Sequence, residues 1–154
     1  MTENQTEGRD ESRPLTLKDS LVAHNNMFWT SATDFHLGGI LDKAYQNPAR
    51  RKLILRWLDG AEEKKIIIRQ SDFPADPFLV RIRKDGWTAS LLEEPDTSRA
   101  DVELVSTHMA LLIYTDTLAS FLLGLLTRNL RLPIFFHKLR DHYYAMRIFF
   151  RRMR

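Results

Sequence analysis

The chain has 154 residues, 44% hydrophobic and 28% charged, an ordinary balance for a soluble globular protein and enough for one core that stands without staples. It has no cysteine, which excludes disulfides and thiolate metal sites and fits a reducing compartment. Its net charge of +3 is too mild to argue by itself for nucleic acid.

The opening stretch, MTENQTEGRDESR, is polar and acidic where a secretory signal is basic and then apolar, so a cytoplasmic location is expected. Residues 1–14 lack core-forming side chains and read as a disordered tail, leaving 15–154 as a single domain. From Leu15 to Trp29, Leu17, Leu21, Val22 and Phe28 make a weak helical pattern. Leu37, Ile40, Leu41, Ala44 and Tyr45 follow helical spacing, with Asp34 as the expected cap of a separate helix. Asn47-Pro48 starts the next helix, with Asn as cap and Pro at its first position, and Asp59-Gly60 ends it.

The period then changes. Ile66-Ile67-Ile68 is a β-branched run, and Phe78 to Arg83 alternates with Phe78, Val80 and Ile82 on one face. Lys84-Asp85-Gly86 is a hairpin signal before the strand that starts at Trp87. Ala100 to Val105 is a fourth strand. The four read as an antiparallel meander with helices before and after it.

Ser106 and Thr107 are expected to cap the apolar segment Met109–Tyr114, and Thr115-Asp116-Thr117 offers a cap to Leu118–Leu126. Arg128-Asn129 breaks that helix, and Leu130-Arg131-Leu132 supplies a short fifth strand. The last segment places Phe135, Leu139, Tyr143, Met146 and Phe150 at helical spacing opposite Lys138, Arg147, Arg151 and Arg154. A strand over Tyr143–Phe150 is the alternative, because aromatic and β-branched residues are dense there.

Between Met109 and Leu126 only Asp116 is charged, so the segment is apolar on nearly all sides. A sheet needs one apolar stripe to cover it. The surplus meets a bilayer, a partner or a ligand, or it is deeply buried in a solid core. Spanning a membrane is disfavoured by the central Asp116, which costs about 2.5–3.5 kcal/mol on insertion.

The hairpin FLVRIRKDGWTASLLEE, the strand ADVELVST and the apolar helix after it resemble the sterol carrier protein family, the small non-specific lipid transfer domains. The resemblance runs from about Leu37 to Phe150. It departs from the family in having no glycine after Gly124, and Arg152-Met153-Arg154 is not a peroxisomal address. It implies an α+β fold, a five-stranded mainly antiparallel sheet covered by helices that close an apolar tunnel. It implies a non-enzymatic protein that holds a sterol, fatty acyl or isoprenoid lipid and carries or presents it at membranes.

On that reading Met109, Leu112, Leu118, Phe121, Leu122, Leu125 and Phe135 contact the ligand, with Trp87 at the tunnel mouth or, alternatively, a core anchor. Arg147, Arg151, Arg152 and Arg154 touch anionic headgroups, each adding about 1 kcal/mol near such a surface, or form a solvated helix end. The expected partners are the lipid, a transient membrane surface, and a lipid-modifying enzyme or second copy held by the apolar helices. Neither nucleic acid nor any cofactor is expected. His137, Asp141 and His142 share one side of a helix and raise a metal site or a small enzyme as a further alternative, but their spacing is off the His-Glu-x-x-His frame and the expectation is no metal.

Overall fold

In a computed structural model of the chain, residues 16–72, 76–92, 100–107, 109–115 and 117–150 are described. The tail expected at 1–14 and the arginines at 151, 152 and 154 lie outside these residues.

The N-terminal helical patterns merge into one helix, α1 (Leu17–Gln46). Thr16 caps it, accepting from the Asp19 amide at 3.2 Å while its own amide donates to the Asp19 carboxylate at 2.9 Å. Asp34 lies inside the helix and starts nothing. No proline interrupts the run, and the hydroxyl of Ser31 donates back to the Met27 carbonyl at 3.0 Å, so polar residues in mid-helix are absorbed without a break. Its buried stripe, Trp29, Thr33, Leu37, Leu41 and Ala44, recurs every three or four residues. The next helix, α2 (Pro48–Leu58), begins as expected: the Asn47 side chain accepts from the amides of Ala49 and Arg50. It ends at Asp59 and Gly60, both with positive φ.

The sheet contains β1 (Glu63–Gln70), β2 (Phe78–Arg83), β3 (Trp87–Leu91), β4 (Val102–Ser106) and β5 (Leu130–Arg131), in the spatial order β3-β2-β1-β4-β5. Three pairings are antiparallel. The fourth corrects the simple meander: β4 lies on the far side of β1 and runs parallel to it, Ile66 opposite Val102 and Ile68 opposite Leu104. Alternation alone does not say whether β4 docks on the free edge of β3, as in a meander, or on the free edge of β1.

The register sorts the sheet into two faces. Ile66, Ile68, Phe78, Val80, Ile82, Val102 and Leu104 share the face turned to the core. The other carries Glu63, Lys65, Arg69, Arg81, Arg83 and Glu103, laced by Arg83–Glu63 at 2.9 Å and Arg69–Glu103 at 2.6 Å. One face covered by helices, and one that carries these charges around the buried Ile67 and Leu79, make a two-layer α+β fold.

Helices α3 (Ala110–Tyr114) and α4 (Leu118–Leu126) follow β4, and the chain closes with a 3-10 turn at Phe135–His137 and α5 (Leu139–Phe150). The last segment is thus helix, not strand. Thr117 caps α4 in a reciprocal box with Ser120, whereas α3 begins at Met109 with no side-chain cap, so the Ser106 and Thr107 expectation is not met. The apolar run is therefore split, and no described helix is long and apolar enough to cross a membrane.

Close approach of α4 to α3 and β5 depends on Gly124. A Cβ there would stand 2.8 Å from Leu130 Cδ1 and 2.9 Å from Tyr114 Cβ. Tyr114 Cβ is tied to the backbone and cannot rotate away. Gly124→Ala is therefore expected to destabilise the protein by about 1–3 kcal/mol, read as a lowered urea midpoint; an unchanged midpoint would show that α4 is free to shift.

Candidate ligand cavity

Between the covered sheet face and the helices lies a cavity of about 70 Å³. Its floor is Ile66 and Ile68 of β1, Val80 of β2, and Val102 and Leu104 of β4. Leu37 of α1, Leu111 of α3, Phe121 of α4 and Leu132 enclose its sides. The roof is α5, which supplies His142, Ala145, Met146, Phe149 and Phe150. Those five sit at i, i+3, i+4, i+7 and i+8, one stripe of a helix.

This stripe differs from the one expected for the last segment. Leu139 and Tyr143 are exposed, while His142 and Ala145 are buried. The cause is the residue before His142. The Asp141 carboxylate oxygen Oδ1 accepts from Trp57 Nε1 of α2 at 2.8 Å and from Lys64 Nζ of β1 at 3.0 Å. Lys64 also reaches Asp101 Oδ1 at 3.2 Å, and the other oxygen of Asp101 accepts the Lys65 amide at 2.8 Å. These contacts fix the rotation of α5 about its axis and turn its next residue toward the sheet.

Burial pushes the Asp141 carboxyl up, but the hydrogen bonds from Lys64 and Trp57 outweigh it and hold the group below the ordinary carboxylate value of 3.8. Burial likewise lowers the Lys64 ammonium, and the bonds to Asp141 and Asp101 more than reverse this.

Two polar side chains stand in the otherwise apolar wall. Thr115 Oγ1 donates to the Leu111 carbonyl and accepts from His36 Nε2 at 2.6 Å. His142 is 1% exposed, its Nδ1 is 2.8 Å from the Lys138 carbonyl, and its Nε2 has no partner among the described residues. His137 is exposed, and among the described residues no three His, Asp or Glu come together where they could hold a metal.

The residues expected at the ligand are dispersed. Phe121, 5% exposed, lines the cavity with its ring centre 4.9 Å from that of Phe150. Phe135 lies outside the cavity lining and meets the ring of His142 edge-on at 5.3 Å. Leu125 is half-buried against the core. Met109, Leu118 and Leu122 are exposed. Trp87 lies over Gly38, where a Cβ would stand 3.3 Å from its ring, and donates its Nε1 hydrogen to Asp42 at 2.9 Å, which ties the hairpin to α1. Leu112 falls within α3, and its side chain lies outside the described ones. Arg147 is exposed and bonds the Tyr143 hydroxyl at 2.7 Å. The floor from alternate strand residues and the α5 roof were absent from the sequence-based set. Strand alternation was the signal that could have supplied the floor.

Element order, strand order and a cavity roofed by the last helix define a sterol-carrier-like fold. One solved structure that shares it is titled "UbiJ-SCP2 Ubiquinone synthesis protein"; it superposes with a TM-score of 0.53 at 14% identity, over 77% of this chain and 92% of that one. At that identity the likeness establishes the fold. No protein-family model and no curated protein matches the sequence.

A carboxyl held low in the folded state contributes stability above its unfolded value, and this is lost as pH falls through the folded value. An amine held high contributes below its unfolded value, and this is lost as pH rises through the folded one. Asp141→Asn is therefore expected to cost about 2–4 kcal/mol near neutral pH, with the gap to the native protein narrowing as pH falls below about 4. Urea titrations at several pH values check this; a gap independent of acid would remove Asp141 from the role.

Proposed function

We propose that this chain is a non-enzymatic lipid-binding protein that holds an apolar tail between the sheet and α5 and carries or presents it at membranes. The observation that supports this most is the cavity itself. Its wall is aliphatic and aromatic apart from Thr115 and His142, so water gains little by entering it. Leaving about 70 Å³ unfilled costs on the order of 2 kcal/mol at the rate measured for truncated cores. Each methylene of a ligand that enters recovers about 0.8 kcal/mol.

The void as it stands is about half the size of the apolar cavity of roughly 150 Å³ that takes up benzene. A few carbons fit without rearrangement. A longer tail displaces Met146, Phe149 and Phe150, which are half-buried at the end of α5. The fold match carries a title in ubiquinone synthesis, which makes a polyprenyl tail the first ligand class to test, beside sterols and fatty acyl chains.

The outward side chains of α3 and α4 favour a second use. Ile113, Leu118, Leu122, Leu123 and Leu126 are all exposed, Leu126 to 81%. We read this surface as the contact for a membrane or for a partner such as a lipid-modifying enzyme or a second copy, and we keep Arg147, Arg151, Arg152 and Arg154 as the expected contacts with anionic headgroups.

Native mass spectrometry of freshly purified protein is expected to show a co-purified lipid, and delipidated protein is expected to bind a fluorescent acyl probe. Ala145→Leu adds three carbons to the roof of the void and should weaken probe binding about tenfold or more while circular dichroism stays unchanged. Binding that is untouched by this substitution would place the probe elsewhere. Self-association in light scattering, with no bound lipid, would favour the partner reading.

A further inference from the structure

Resting on the lipid-binding reading, we infer that the cavity selects ligands that carry a hydroxyl group, and that His142 Nε2 is the atom that accepts its hydrogen. A backbone carbonyl can only accept, so the 2.8 Å contact between His142 Nδ1 and the Lys138 oxygen puts the ring hydrogen on Nδ1. In the neutral ring Nε2 is then a bare lone pair. It is buried, it has no partner among the described residues, and His142 is one of the residues that line the cavity. Buried acceptors are almost always satisfied, and one left without a donor is costly.

Other buried polar atoms share this condition, including Trp29 Nε1, Thr33 Oγ1 and Ser106 Oγ, but none of these residues lines the cavity. The other polar group in the wall, Thr115 Oγ1, spends its hydrogen on the Leu111 carbonyl and has none left to give to His142. A donor must therefore come from what enters. Water alone is poorly held among these aliphatic walls. An apolar molecule with a hydroxyl satisfies both demands, its chain against the sheet and its O–H toward the imidazole. The edge of Phe135 against the ring and the Lys138 bond hold the imidazole in place to receive it. An ether or a hydrocarbon of the same length fills the space and leaves the acceptor orphaned.

Dodecan-1-ol and its methyl ether make the test, titrated against delipidated full-length protein by calorimetry. The native protein is expected to bind the alcohol about tenfold tighter than the ether. In His142→Asn the side-chain amide still reaches the Lys138 carbonyl but the distal acceptor is gone, so the preference should fall to about equal while ether binding persists. In ¹⁵N-histidine-labelled native protein the Nε2 resonance should move on adding alcohol and stay on adding ether, a reading that needs no variant. Equal affinity for the two probes, with Nε2 unmoved, would overturn the hydroxyl preference and leave lipid binding standing. A preference that survives in His142→Asn would overturn the assignment to this atom. If neither probe binds, the lipid-binding reading fails with it.

Discussion

The Asp141 carboxylate is the fastening on which the candidate site depends. It joins three elements far apart in sequence: Trp57 of α2, Lys64 of β1 and α5 itself. Removing two charges from water is expensive, and it is sustained here because the carboxylate is shared between an indole N–H and an ammonium that also meets Asp101. The consequence is rotational. With Asp141 held toward α2 and β1, the stripe of His142, Ala145, Met146, Phe149 and Phe150 turns to the sheet, and Arg140, Tyr143 and Arg147 turn to solvent. An α5 rotated by one residue would send a different set inward, and the imidazole would leave the wall.

The sheet contributes the complementary constraint. One face is laced by Glu63, Arg83, Arg69 and Glu103 around the buried Ile67 and Leu79, and the helices that bound the cavity fit on the other. Of the helices over that face, α1, α3, α4 and α5 bound a gap that remains between them and the strands. The apolar surplus of residues 109–126 thus divides. Ala110, Leu111 and Phe121 go inward, while Ile113, Leu122, Leu123 and Leu126 go outward. The short length of α3 and α4, and the close packing that Gly124 permits, leave the remaining side chains no room on the inside.

Much of the fold was legible because local signals and tertiary outcome agree. Asn47-Pro48 opened α2, Thr117 capped α4, Gly86 closed the hairpin, and Leu130 began the short last strand. Two features were not legible. The parallel seating of β4 on β1 is a choice of edge, and either edge satisfies the same alternation. The phase of α5 was misread because hydrophobicity favoured Leu139 and Tyr143, whereas a charged residue decided the rotation through partners 77 and 84 positions away. The three residues of the metal alternative are put to different uses: Asp141 joins α5 to α2 and β1, His142 is among the residues lining the cavity, and His137 is exposed. The candidate ligand residues lay mostly on the segment richest in leucine, although the strands supply a third of the residues that line the cavity.

The claim that the guest lies inside, between the strands and the last helix, has one most direct test. Isotope-filtered NMR on methyl-labelled protein loaded with an unlabelled acyl-chain ligand reports which methyl groups the chain touches. Contacts to Ile66, Ile68, Leu104 and Ala145 are the expected result. Contacts confined to Leu122, Leu123 and Leu126 on the outside of α4 would contradict it and make the protein a surface binder of lipid.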